Sequence, residues 1–201
     1  MVTYTRLRPF VYQINFPFRY NSQTIIEEIT NLEWESWNLM EAQQAPSLSL
    51  RSRLNPNNIA ILSDAVEYFN DPTGYKTDIL KELFKEKEFE RIWSTDYETL
   101  MRNTTNFLLL YKDAPNFVAP MHLDNRRLVT AGMITFSDHD NPDISTFFYT
   151  SKNKDDPLRV PVGPGQGWTA AATHNTWHTG GNFSTTNRYS LYFGVGLKLI
   201  F

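Results

Sequence analysis

The sequence contains no cysteine among its 201 residues. This absence excludes disulfide bonds, thiolate zinc sites, cysteine-ligated iron–sulfur clusters and a cysteine nucleophile. Histidine is scarce as well, because the chain has four and none of them precedes residue 122. Any transition-metal site must therefore be built from these imidazoles and from carboxylates. The four are His122, His139, His174 and His178.

A strong charge of one sign and long apolar runs are also missing. The 19 basic and 22 acidic residues give a net charge of −3, which disfavours nucleic acid as a partner because phosphate binding needs clustered Lys and Arg. The apolar run over 107–111 is far shorter than the about 20 residues that span a bilayer. The first residues lack the apolar stretch of a signal peptide. We therefore expect a soluble, cytoplasmic protein without a membrane partner.

Glycine is distributed unevenly between the two halves of the chain. Of nine glycines, only Gly74 precedes residue 131. Since glycine marks turns and bulges, the second half is predicted to be rich in hairpins. Helical periodicity is strongest in the first half, where it covers 22–32, 59–69 and 77–93. One strand is predicted there as well, over 9–16.

From residue 106 onward the pattern becomes strand-like and is interrupted by turn signals, among them Asp113-Ala114-Pro115-Asn116 and Gly180-Gly181-Asn182. Short strands at this spacing are typical of a β-sandwich or barrel. The predicted strands cover 106–111, 117–122, 127–136, 145–150, 158–162, 168–173 and 187–199. The predicted fold is α+β, a double-sheet jelly roll with N-terminal helices packed on one sheet.

We expect one domain over 1–201. Its helix-rich N-terminal support region would cover 1–105, and its jelly-roll catalytic core would cover 106–201. No repeat, low-complexity tract or linker in the sequence requires a second domain.

The segment His122-Leu123-Asp124 is the first candidate for metal binding. In an extended chain, residues i and i+2 point to the same side. One imidazole nitrogen and one carboxylate oxygen can therefore face the same ion. The alternative is an ordinary pair in a surface loop, since such triplets are common.

A second histidine candidate, His178, follows 56 residues after His122 in the context Trp177-His178-Thr179-Gly180. It precedes a predicted glycine turn, where the backbone can bend the imidazole inward. The alternatives are a structural histidine in the core or at a sheet edge, and His174 as the ligand in its place. His139 lies in a very polar turn and is expected to be exposed to solvent.

Arg188 and Ser190 form the third candidate pair, because on a strand they share one face. A guanidinium fork and a hydroxyl can together hold the carboxylate of an elongated anion. The alternative is a structural arginine at the edge of the sheet.

Taken together, residues 106–196 resemble the core of the 2-oxoglutarate- and Fe(II)-dependent dioxygenase superfamily. The resemblance is carried by His122-x-Asp124, by Trp177-His178-x-Gly180 and by the ten-residue step from His178 to Arg188-Tyr189-Ser190. It implies a double-stranded β-helix, which agrees with the jelly roll predicted from the turns. That ten-residue step favours His178 over His174 as the distal ligand.

The resemblance also implies roles for individual residues. His122, Asp124 and His178 would bind Fe(II). Arg188 and Ser190 would hold the far carboxylate of 2-oxoglutarate, with Tyr111 as a further contact to this cosubstrate or simply a core tyrosine.

The implied reaction consumes O2 and 2-oxoglutarate, releases succinate and CO2, and oxidises an unactivated C–H bond. Halogenating members of the superfamily lack the carboxylate that Asp124 provides, so hydroxylation is favoured. The substrate would be a small molecule, an amino acid or a protein side chain. Arg126, Arg127 and Trp177 are candidate substrate contacts, and their alternatives are a solvated arginine pair and a core tryptophan.

Two other classes of protein are compatible with the same pattern. One is a cupin-like metal enzyme that does not use 2-oxoglutarate. The other is a jelly-roll binding or structural protein that needs no metal.

Overall fold

The computed structural model describes residues 1–36, 50–125, 127–136, 144–160 and 163–198. The helices in this part of the chain are α1 (Ser22–Thr30), α2 (Ser63–Asn70), α3 (Tyr75–Leu83), α4 (Lys87–Trp93) and α5 (Tyr97–Asn103). The strands before residue 123 are β1 (Thr3–Arg8), β2 (Val11–Asn15), β3 (Glu35–Ser36), β4 (Arg51–Leu54), β5 (Thr104–Asp113) and β6 (Phe117–His122). The later strands are β7 (Leu128–Thr135), β8 (Thr146–Tyr149), β9 (Leu158–Arg159), β10 (Gln166–Ala171), β11 (Trp177–Asn182) and β12 (Arg188–Leu197).

The strands form two antiparallel sheets of unequal size. The larger sheet has eight strands in the order β1-β2-β10-β7-β12-β5-β4-β3, and the smaller has four in the order β6-β11-β8-β9. Side chains of the two sheets meet in one apolar cluster, in which Met133 and Trp168 of the large sheet join Phe148 of the small one. This arrangement confirms the predicted α+β fold with a double-sheet jelly roll.

The alternating side chains of β12 show that the two faces of the large sheet pack against different layers. Tyr189, Leu191 and Phe193 belong to the cluster that includes the helices. Tyr192 instead packs in the cluster between the two sheets. Because neighbouring residues on a strand point to opposite faces, the helices cover one face of the large sheet and leave the other face to the small sheet, as predicted.

The helical pattern over 77–93 is divided into α3 and α4, which the sequence did not indicate. The break occurs at Glu86, whose backbone is extended. Its carboxylate accepts hydrogen bonds from the Phe10 backbone N–H at 3.1 Å, from the Tyr12 hydroxyl and from the Arg6 guanidinium at 2.9 Å. These contacts with the first hairpin replace the continuation of the helix.

The N-terminal region contributes more to the sheet than was expected. The strand predicted over 9–16 is β2, but β1, β3 and β4 also belong to the large sheet. Their sequences are short and charged and show little apolar alternation, so period-2 patterning could not reveal them.

None of the helices in the described part of the chain has the length and apolar character that spanning a membrane requires.

The turn predicted at Gly180-Gly181-Asn182 is wrong. Gly180 and Gly181 lie inside β11, because glycine lets this strand approach β6 closely. A Cβ atom at Gly181 would lie 2.6 Å from the carbonyl oxygen of Phe117, and such close backbone approach is a common reason for glycine in a strand. The turn predicted at Asp113-Ala114-Pro115-Asn116 is confirmed between β5 and β6, where the Phe117 N–H donates to the carbonyl oxygen of Ala114 at 3.2 Å. Asp113 itself is the buried last residue of β5.

Phe193 provides a test of the layer between helices and sheet. It is fully buried, with its ring centroid 4.2 Å from that of Phe69 and 4.9 Å from that of Tyr75. We expect Phe193→Ala to lower the free energy of unfolding by about 3–5 kcal/mol, measured by urea denaturation, because it leaves a cavity. Phe183→Ala is the control, since Phe183 is 58% exposed. Equal effects of the two substitutions would contradict this account of the core.

Candidate metal centre and adjoining cavity

Three residues that can bind a metal converge between the sheets. His122, Asp124 and His178 each offer one ligand atom, and these atoms all lie within 4.8 Å of one another. The Nε2 atom of His178 is 3.9 Å from Oδ1 of Asp124. The rings of the two histidines lie 4.3 Å apart between centroids.

The pairing of β6 with β11 explains why the two histidines meet. His122 is the last residue of β6, and its partner across the ladder is His178 on β11. The register shifts immediately after this pair, between His178 and Gly180. Asp124 follows β6 by two residues, as the His-x-Asp spacing predicts, so its carboxylate reaches the same point.

Backbone carbonyls fix the orientation of both imidazoles. Nδ1 of His122 lies 2.7 Å from the carbonyl oxygen of Pro120, and Nδ1 of His178 lies 3.0 Å from that of Thr176. Because a carbonyl oxygen only accepts hydrogen bonds, each Nδ1 carries the proton. In the neutral ring each Nε2 then presents a lone pair, and metal-binding histidines commonly donate their other ring N–H to a carbonyl oxygen in this way.

The surroundings of His178 favour its neutral form. Burial lowers its pKa, and His122 acts in the same direction, while the nearby carboxylate of Asp124 opposes the shift. The rings of Phe148 and Trp168 lie 5.2 Å from its imidazole, between centroids. A neutral imidazole is the form that binds a metal ion.

A cavity of about 190 Å³ adjoins this cluster. It is smaller than the about 300–1,000 Å³ typical of ligand pockets, so it suits a small ligand. Its walls on the large-sheet side are Arg51, Tyr111, Met133, Trp168 and Tyr192. Its walls on the other side are Ala119, His122, Asp124, Thr146, His178 and Gly180.

A row of three charged residues crosses the large sheet beside the cavity. The register pairs Asp113 of β5 with Arg51 of β4 on one side and with Arg188 of β12 on the other. Arg51 donates to Asp113 through Nε at 2.6 Å and Nη2 at 2.9 Å. Arg188 donates to the same carboxylate through Nε at 3.0 Å and through Nη2. We call these three residues the ionic row.

The predicted cosubstrate residues occupy different positions relative to the cavity. Tyr111 lines it and stacks on Tyr192, with 5.2 Å between ring centroids. Arg188 is buried in the ionic row and does not line the cavity. Ser190 is fully buried on the same face of β12, and its hydroxyl has no hydrogen-bond partner among the described residues.

The predicted substrate residues lie outside the cavity walls or outside the described residues. Arg127 is exposed and Trp177 is half-buried, and neither lines the cavity. Trp177 precedes His178 on β11, so its side chain points to the opposite face of the strand. Arg126 and His139 lie outside the described residues. His174 is exposed in the segment before β11 and is not part of the three-residue cluster.

Sequence reasoning missed Arg51 as a residue of the site. It lies on β4, far along the chain from the ligands, with its guanidinium carbon 4.2 Å from the Tyr111 ring centroid and 4.1 Å from that of Phe117. A signal was present in the alternation of Arg51-Ser52-Arg53-Leu54. A strand of this pattern places two arginines on one face, but the local sequence does not show that this strand pairs with β5.

Asp113 provides a test of the ionic row. Burial alone would raise its pKa, but Arg188 and Arg51 outweigh that effect and hold it below its usual range. We expect Asp113→Asn to lower the free energy of unfolding by about 3–5 kcal/mol at pH 7, because two buried guanidiniums lose their counter-ion. Urea denaturation measures the change.

The pH dependence of that loss has a defined direction. The lowered pKa means that the carboxylate stabilises the fold above about pH 4, its unfolded value, and that this contribution disappears as the pH falls through the folded pKa. The difference between wild type and Asp113→Asn should therefore shrink in acid. Asp156→Asn is the control, since its side chain is 74% exposed beside Arg8 and exposed pairs contribute about 0–1 kcal/mol. A difference that stays constant with pH would contradict the assignment.

Comparison with solved structures places the chain in a known fold. The Pseudomonas putida prolyl-4-hydroxylase matches with a TM-score of 0.62 and 9% identity, over 94% of this chain and 93% of that one. A Trichoplax adhaerens prolyl hydroxylase, in complex with a peptide fragment of the hypoxia inducible factor oxygen degradation domain, matches at 0.57 and 12%, over 94% and 84%. The non-heme alpha ketoglutarate dependent epimerase SnoN from nogalamycin biosynthesis matches at 0.56 and 12%, over 94% and 78%.

These similarities concern the fold, since the identities are low. No family model matches the sequence, and no curated protein matches it. The resemblance stated from the motifs is confirmed at the level of architecture. The chain has the jelly-roll fold of the 2-oxoglutarate- and Fe(II)-dependent oxygenases.

Proposed function

We propose that the protein is a non-haem Fe(II)- and 2-oxoglutarate-dependent oxygenase that hydroxylates an unactivated C–H bond. One observation carries the proposal. His122, Asp124 and His178 converge within 4.8 Å beside a small cavity, in a fold shared with oxygenases of this kind.

The donor set suits the metal. Two neutral imidazoles and one carboxylate on one side of an ion form the facial triad of non-haem Fe(II) oxygenases, which leaves the remaining positions open. Both Nε2 atoms are oriented by the hydrogen bonds of Nδ1 to backbone carbonyls. When bound, Fe(II) with 2-oxoglutarate and O2 supplies the oxidation of the C–H bond, with succinate and CO2 as co-products. Asp124 supplies the carboxylate that halogenating relatives lack, so hydroxylation is favoured.

The walls of the cavity contribute shielding and a hydrogen-bond donor. Met133 and Trp168 are buried and keep one side of the site apolar, which excludes water from the reacting groups. Burial raises the pKa of Tyr192 well above its usual value, and Asp124 adds to the shift. Its phenol therefore stays protonated and can donate a hydrogen bond to a ligand.

The charge of the ionic row favours an anionic cosubstrate. Arg51 and Arg188 together carry two positive charges against one carboxylate, that of Asp113. The resemblance to the oxygenase superfamily implies that Arg188 and Ser190 hold the far carboxylate of 2-oxoglutarate, with Tyr111 as a further contact. These roles stay predictions, as do the substrate contacts of Arg127 and Trp177.

The substrate class is a small molecule, an amino acid or a protein side chain. Two of the similar folds belong to prolyl hydroxylases, one of them in complex with a peptide fragment, which supports including peptide substrates. The cytoplasmic location and the division of the single domain at residue 105 stay predictions from the sequence.

The test is anaerobic binding of Fe(II) and 2-oxoglutarate. We expect the wild-type protein to develop a weak visible charge-transfer band when both are added, because the keto acid chelates iron held by the triad. His178→Ala should abolish the band and Fe(II) binding. In air, the wild type should convert 2-oxoglutarate to succinate.

The matched control is His174→Ala. His174 lies four residues before His178 but is exposed, so its removal should leave both the band and Fe(II) binding intact. A wild-type protein that binds neither Fe(II) nor 2-oxoglutarate would contradict the proposed function. Loss of binding in His174→Ala instead of His178→Ala would move the ligand to His174.

A further inference from the structure

We infer that Arg51, and not Arg188, meets the far carboxylate of the ligand in the cavity. The inference rests on the proposed function, because it concerns how the same cavity recognises 2-oxoglutarate. It assigns a ligand contact to β4, an N-terminal strand outside the motif-bearing half of the chain.

The guanidinium of Arg188 already has hydrogen-bond partners within the protein. Its Nε and Nη2 donate to Asp113, and its Nη1 donates to the carbonyl oxygens of Gly181 at 2.9 Å and Ile144 at 3.3 Å. Its side chain is only 3% exposed, and it does not line the cavity. A ligand carboxylate would have to displace these contacts to reach its guanidinium.

Arg51 is held firmly but keeps a free edge. Asp113 takes its Nε and Nη2, and the rings of Tyr111 and Phe117 lie within about 4 Å of its guanidinium carbon, an attractive cation–π geometry. Within the described part of the chain, no hydrogen bond is made by its Nη1. Arg51 also lines the cavity, and these contacts set the position of its guanidinium before any ligand arrives.

The charge count explains why an anion belongs there. Asp113 is fully buried and is shared by both guanidiniums. The ionic row therefore holds one net positive charge away from solvent. A buried charge is costly unless it is paired and hydrogen-bonded, and a ligand carboxylate beside Nη1 would supply the missing partner.

The position of Arg51 also defines the class of ligand. The cavity is lined by the three clustered ligand residues on the small-sheet side and by Arg51 on the large-sheet side. A short dicarboxylate with a keto acid at one end can therefore contact Arg51 and a metal ion held by the three ligand residues at the same time. A keto acid with a methyl group in place of the far carboxylate would lack the second contact.

The experiment compares two keto acids of equal chain length. Calorimetry on the anaerobic Fe(II)-loaded protein measures the Kd of 2-oxoglutarate and of 2-oxopentanoate, which ends in a methyl group. We expect Arg51→Met to raise the Kd of 2-oxoglutarate by about 10- to 100-fold, as for loss of a charge-assisted hydrogen bond. The Kd of 2-oxopentanoate should stay unchanged, and so should that of Fe(II).

Two further variants make the result specific. Arg53→Met removes an arginine from the same strand, whose side chain is 40% exposed near Glu35, and should leave the Kd of 2-oxoglutarate nearly unchanged. Arg51→Lys keeps the charge but loses the fork, so it should weaken 2-oxoglutarate selectively but less than Arg51→Met. This variant decides the question if Arg51→Met does not fold.

The outcomes separate the inference from the proposed function. The inference is overturned if the Arg51 variants bind both keto acids equally more weakly, or if they bind 2-oxoglutarate as tightly as wild type does. The proposed function is upheld in either case as long as the wild type binds Fe(II) and 2-oxoglutarate. If the wild type binds neither, the function fails and the inference fails with it.

Discussion

The carboxylate of Asp113 holds together the parts of the molecule that form the site. The carboxylate joins β4 and β12 to β5 through Arg51 and Arg188. The backbone carbonyl of Asp113 accepts a hydrogen bond from Asn182 on β11 at 2.8 Å. Arg188 extends the connection by donating to the carbonyl of Gly181. The strand that carries His178 is thereby tied to the large sheet through the backbone of Asp113 and through Arg188, whose guanidinium is positioned by the buried carboxylate.

The parts of the site that could be predicted are those determined by short-range spacing. His122 and Asp124 share a side because residues two apart in an extended chain do so. His178 could be preferred to His174 because it precedes Arg188 by ten residues in the sequence. In the structure, His122 and His178 lie together with Asp124. The jelly roll itself followed from the regular interval between turn signals, since each interval fits one short strand.

The parts that could not be predicted depend on contacts between distant segments. The ion pair of Arg51 with Asp113 spans 62 residues, and nothing local marks either residue as a partner of the other. The break between α3 and α4 has the same origin, because Glu86 binds the hairpin that contains Phe10. The glycines of β11 were misread as a turn because close contact with β6 requires the same residue type.

The two sheets contribute different chemistry to the cavity that they enclose. The histidines belong to β6 and β11 of the small sheet, whereas the ionic row belongs to the large sheet. Sheets that pack face to face keep a separation of about 10 Å, set by the side chains between them. The core residues that space the sheets, such as Phe148 and Trp168, therefore also determine how long a ligand must be to reach from one sheet to the other.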